Sequence, residues 1–154
     1  MLPDAPGTYV LILKLSQPSS ILCGRLGHVR LAPGWYAYAG SALGAGGLAA
    51  RIAHHLRPAR SPHWHIDYLR AACQPVALWY AAGTERHECA WAAALARLPG
   101  STRPVPRFGA SDCRCPGHLA HLTVPPDVKA FISAVAQPLA LETLALGNTK
   151  PDAL

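Results

Sequence analysis

The chain has 154 residues, 51% hydrophobic and 14% charged, which suits one domain with a sizeable core and excludes a wholly disordered polymer. No run reaches the roughly 18 apolar residues of a membrane helix, and the opening MLPDAPGTYV lacks a secretory pattern, so a soluble, cytoplasmic protein with no membrane partner is expected. A net charge of +6 and a pI near 9.4, carried mainly by arginine, point to a polyanionic partner such as nucleic acid.

Thr8 to Leu15 (TYVLILKL) reads as a buried strand opened by Gly7. Pro18 to Ser20 is a turn, Ile21 to Leu31 a hairpin arm, and Pro33-Gly34 a second turn. Trp35 to Gly40 reads as another strand, with Trp35, Ala37 and Ala39 on one side and Tyr36 and Tyr38 on the other.

SALGAGG then leads into a helix from Leu48 to Leu56, stopped by Pro58. The segment lacks the Lys-Ser/Thr pair of a P-loop, although N–H groups at a helix start still favour an anion. Arg51 and His55, four residues apart, lie at the border of the apolar stripe beside Leu48. They are either a solvated basic edge or a cation and an imidazole aimed at a phosphate. Ser61-Pro62 opens a second helix running to Ala72. Between Arg51 and Arg70 the chain holds four Arg and four His against one acid, Asp67. Trp64 and Tyr68 read as core rings, and some of the cations as phosphate-facing, with Arg57, Arg60 and His63 as candidates.

Val76 to Ala82 reads as a strand, and Thr84 caps a helix from Glu85 to Leu98. The apolar stripe of that helix, Trp91, Ala92, Leu95 and Leu98, also contains Glu88. A carboxylate there is either held in the first turn by the helix dipole or serves as a metal ligand or catalytic acid. Pro99 to Pro126 reads as an ordered loop, Asp127 to Gln137 as a short helix, and residues 138–154 as a flexible tail beyond a domain spanning 1–137. The pattern implies an α+β fold.

The five cysteines, an odd number, are expected as free thiols. Cys113, Cys115, His118 and His121 lie within nine residues and carry the ligand types of a zinc site. Two other readings compete: buried thiols in a loop that closes over the domain, or Asp112 and His118 bordering a catalytic site.

Several of these segments resemble the GIY-YIG nuclease superfamily. Gly7-Thr8-Tyr9 looks like its first signature, Tyr38-Ala39-Gly40 followed by Ser41 like its second, Arg51 with His55 like its helix motif, and Glu88 like its metal-binding glutamate. The segments GWYAYAGSALG, HWHIDYL, Glu88 to Ala92 and Phe108 to Leu119 are similar to one branch, small stand-alone proteins of unassigned function, some appended to endonuclease-III-like glycosylases. The resemblance covers roughly Gly7 to Leu122 and implies a small antiparallel three-stranded sheet flanked by helices. It further implies phosphodiester hydrolysis in nucleic acid, with DNA favoured over RNA, and one Mg²⁺ or Mn²⁺ at Glu88. Arg51 would then stabilise phosphate charge, and Ser41 would belong to the nucleic-acid surface. Tyr9 would act as the base, assisted by Tyr38, with nearby cations lowering its pKa and His55 relaying the proton. Many members carry an asparagine after the glutamate; here the only one is Asn148, with Ser111 and Asp112 as substitutes. A binding module that kept the fold without activity is the alternative reading.

Overall fold

The computed structural model describes residues 2–57 and 61–144. Strand β1 (Gly7–Leu15) pairs antiparallel with β4 (Gly34–Ala42) on one side and β5 (Gln74–Ala82) on the other. These three are the strands expected from sequence. Two short edge strands extend them, β6 (Leu119–Leu122) beside β4 and β7 (Ala140–Thr143) beside β5. The sheet is therefore five-stranded, in the order β6-β4-β1-β5-β7, rather than three-stranded. The added strands cover backbone edges that β4 and β5 would otherwise leave open. Strand β6 lies inside the segment expected to be loop, and β7 inside the expected tail; residues 145–154 lie outside those described. The hairpin arm becomes a separate ribbon of β2 (Ser19–Leu22) and β3 (His28–Leu31).

The sheet is covered on both faces, which explains why β1 is buried nearly throughout and reads as an almost unbroken apolar run. Its odd residues, Tyr9, Leu11 and Leu13, join a core with Leu48 and Ile52 of α1 (Gly47–Leu56) and Ile66 and Leu69 of α2 (His65–Ala72). Its even residues, Val10 and Ile12, join a second core with Trp91 and Leu95 of α3 (Glu88–Ala96) and Phe131 of α4 (Val128–Val135). Asp127 caps α4, accepting from the Lys129 and Ala130 N–H groups.

Two helices begin later than their sequence signals suggest. Helix α2 starts at His65 because the Asp67 carboxylate, reaching back, accepts from the N–H groups of His63 (2.8 Å) and Trp64 (3.0 Å). Helix α3 starts at Glu88 behind His87, so Thr84 does not cap it. The start of α1 also departs from expectation, because its N–H groups are already taken. Leu48 N–H donates to Ala5 O (2.9 Å), Ala49 N–H to Pro3 O (3.0 Å), Gly47 N–H to Gly44 O and Ala50 N–H to Gly46 O. The N-terminal segment thus occupies the place expected for an anion. A Cβ at Gly47 (φ 57°) would collide with the carbonyl oxygens of Asp4 and Ala5, so glycine permits this closure.

Candidate functional site

Strand alternation and helix spacing bring the expected residues to one end of the sheet. In the β1–β4 register Tyr9 lies opposite Gly40, where a Cβ would sit 2.5 Å from the Tyr9 ring and hydroxyl. Gly40 therefore makes room for Tyr9. Tyr38, two residues back on β4, points to the same face, with its ring 6.4 Å from that of Tyr9. Helix α1 lies over this face. His55 is 1% exposed, and the Tyr9 hydroxyl and His55 Nε2 are 2.6 Å apart.

A cleft of about 210 Å³ opens beside this pair. Tyr38, Ser41, Arg51, Trp64, Glu88 and Asp112 contribute to its walls. Arg51 lies over the Trp64 ring, 4.3 Å from its centroid, so an indole at the start of α2 aims the guanidinium. Glu88 occupies the first turn of α3, as the helix-dipole reading has it, and lines the cleft. Its side chain is 17% exposed and its Oε1 is 3.5 Å from the Arg86 guanidinium.

Tyr9 and His55 are not among the cleft-lining residues; they lie behind Tyr38 and Arg51. Their ionisation follows from this burial. Burial raises the Tyr9 pKa well above its ordinary value and outweighs the lowering by the adjacent Arg51 guanidinium. The sequence expectation that cations depress it is therefore reversed, since desolvation disfavours the phenolate more than Arg51 favours it. Tyr38 is raised for the same reason, with Glu88 adding to the effect. His55 is pushed down to about 3 by burial and then by Arg51 and His54, so it is neutral. Arg51 offers only donors and faces the phenol oxygen. The Tyr9 O–H accordingly donates to His55 Nε2, and the buried Nδ1 has no partner among the described residues.

A family model described as Domain of unknown function DUF123 matches residues 8–141. The chain belongs to the DUF123 family. No curated protein and no solved structure matches it. The DUF123 match runs from β1 through β6 and ends within β7.

The remaining candidates separate. Arg57 is exposed at the end of α1 and does not line the cleft. His63 lines a different cavity, with Arg25, Arg107 and Ser111. Arg60 lies outside the described residues. His121 does not join Cys113, Cys115 and His118. Its Nε2 contacts Pro33 O at 2.8 Å and its ring lies 4.9 Å from that of Tyr36. Three residues apart on an extended segment, His118 and His121 point to opposite sides. Cys89 of α3 takes the fourth place, with its sulfur drawn against that of Cys115.

Sequence reasoning also missed three positioning residues. Asp67 links the start of α2 to α1 through His54 Nε2 (2.9 Å), and its hydrogen bonds hold its pKa low despite the opposing effect of burial. Arg70 caps the end of α1, with Nε donating to His55 O (3.0 Å) and Nη2 to Leu56 O (3.3 Å). Arg107 donates to the carbonyl oxygens of Ala110, Cys113 and Cys115, holding the loop that closes the cleft.

Proposed function

We propose that this protein is a divalent-metal-dependent nuclease that hydrolyses phosphodiester bonds, with DNA as the expected substrate. The observation that carries the proposal is the convergence of Arg51, Tyr38 and Glu88, from three separate elements, on one cleft. The resemblance of these residues to GIY-YIG motifs supports the same reading.

The cleft fits Mg²⁺ or Mn²⁺. Such cations keep several waters and need only one or two protein carboxylates. Glu88 supplies one, and Asp112 lines the same cleft in place of the missing asparagine, whereas Ser111 faces the other cavity. A cation held at Glu88 would act as a Lewis acid on the phosphate and its leaving oxygen. Arg51, fixed by Trp64, binds the phosphate and stabilises the negative charge that develops on it. Tyr38 orients the attacking water from the cleft wall. Behind it, the buried hydrogen bond between Tyr9 and neutral His55 would hold the floor of the cleft and the Tyr38 ring in place, and the proton of the attacking water would leave to solvent in the open cleft.

The test is cleavage of nicked, branched and single-stranded DNA and RNA with Mn²⁺, comparing wild type with Glu88→Gln. Wild-type cleavage that falls by at least about a hundredfold in the variant is expected. A second reading, a nucleic-acid-binding module without activity, is favoured by the complete burial of Tyr9. Salt-sensitive binding without cleavage by either protein would establish it.

A further inference from the structure

The cysteine–histidine cluster stands apart from the chemistry of the cleft. We propose that Cys89, Cys113, Cys115 and His118 are the four ligands of a structural zinc ion that ties α3 to the loop before β6. Their ligand atoms all lie within 4.8 Å of one another. His118 Nε2 is 3.6 Å from Cys89 Sγ, 3.4 Å from Cys113 Sγ and 3.3 Å from Cys115 Sγ. In tetrahedral zinc, with Zn–S about 2.3 Å and Zn–N about 2.0 Å, a nitrogen and a sulfur stand about 3.5 Å apart. The three distances match that edge.

A Cys89–Cys115 disulfide engages two of the four groups and leaves the rest unexplained. Cys113 would remain a free thiol, and the Nε2 of His118, 3% exposed, would face only sulfur. A shared cation satisfies all four. Binding consumes no oxidant: each thiol that ligates gives up its proton to solvent.

The surroundings suit such a site. Three thiolates around Zn²⁺ leave one net negative charge, and the Arg107 guanidinium is held at the carbonyls of Cys113 and Cys115, 2.8 and 2.6 Å away. Four protein ligands leave no open position, which marks a structural centre. The soft sulfur set also separates this ion from the hard cation expected at Glu88. Glu88 directly precedes Cys89, while Asp112 directly precedes Cys113. Zinc would thus lock both sides of the cleft together. The assignment does not depend on nuclease activity.

The test is elemental analysis of untagged protein purified under reducing conditions. One zinc per chain is expected, lost in Cys113→Ser and retained in His121→Asn. If Cys113→Ser does not fold, replacement of zinc by Co²⁺ in the wild type should give thiolate-to-cobalt charge transfer and tetrahedral ligand-field bands. Alkylation of the denatured, chelated wild type without reductant should modify all five cysteines. Absence of zinc, a Cys89–Cys115 linkage with three modifiable thiols, or zinc retained in folded Cys113→Ser would overturn the proposal.

Discussion

The two faces of the sheet share the strand β1 but differ in kind. Toward α3 and α4, Val10 and Ile12 meet Ala37, Ala39, Trp79, Trp91, Leu95 and Phe131, a packing of hydrocarbon and aromatic rings. Toward α1 and α2, the same strand presents Tyr9 beside Tyr38, with His55 buried against both. The first face gains stability from area and fit. The second places a desolvated imidazole where charging it is costly, so its contribution to stability depends on pH. Period-two alternation lets one strand build both faces, because neighbouring side chains never share a face.

The comparison predicts that damage to each face will have a different signature. Phe131 is fully buried, with its ring 5.3 Å from Trp79 and 5.5 Å from Trp91. Phe131→Ala is expected to lower stability by about 3–5 kcal/mol, the largest of these effects. Denaturant melts would measure it. At a temperature where the variant is still folded, nucleic-acid binding and cleavage should match wild type; a loss there would break the separation of the faces.

The other face should reveal itself through pH. His55 has a folded pKa of about 3 against an ordinary 6.5, so the unfolded chain takes up a proton that the folded chain refuses. Stability is therefore complete above the unfolded value and falls as the pH drops toward the folded one. The slope is about 1 kcal/mol per pH unit, or about 2 kcal/mol lost between pH 7 and pH 5. Asp67, whose pKa is lowered, loses its contribution only below the ordinary carboxylate range, outside this window. Urea melts at pH 7 and pH 5 should show a smaller loss in His55→Gln than in wild type. Equal losses would mean that His55 charges freely and the face is not dry.

Much of this division was legible in the sequence. The alternation in WYAYAG assigned Tyr36 and Tyr38 to one side of β4 and Ala37 and Ala39 to the other, and the two cores follow that assignment. The i,i+4 spacing likewise put Arg51 beside His55, whereas Glu88, read on the apolar stripe of α3, is absent from the core beneath that helix and lines the cleft. What escaped was non-local. Strands β6 and β7 have four residues each, too few for a period, and exist because β4 and β5 offer open edges. Cys89 lies 26 residues from Cys115, so proximity in sequence favoured His121 instead. The ionisation of Tyr9 was misjudged because charge can be counted from a sequence, whereas desolvation depends on what covers the ring.

The smallest effect tests how the polar face is aimed. Trp64 was read as a core ring, yet it is only partly buried and carries the Arg51 guanidinium on its face. A cation–π contact of this kind is worth about 0.5–2 kcal/mol, depending on desolvation. Trp64→Leu keeps apolar bulk at the start of α2 but removes the ring's electrostatic attraction. Stability is expected to change by no more than about 1 kcal/mol, because the Asp67 cap uses the backbone N–H groups of His63 and Trp64. The upfield ring-current shift of the Arg51 side-chain protons should disappear, and single-turnover cleavage should fall by up to about tenfold as the guanidinium loses its fixed direction. Unchanged Arg51 resonances in the variant would show that α1 alone sets the guanidinium, and Trp64 would return to the core. A lost shift with unchanged cleavage would keep the stacking but remove the need for preorganisation at this end of the sheet.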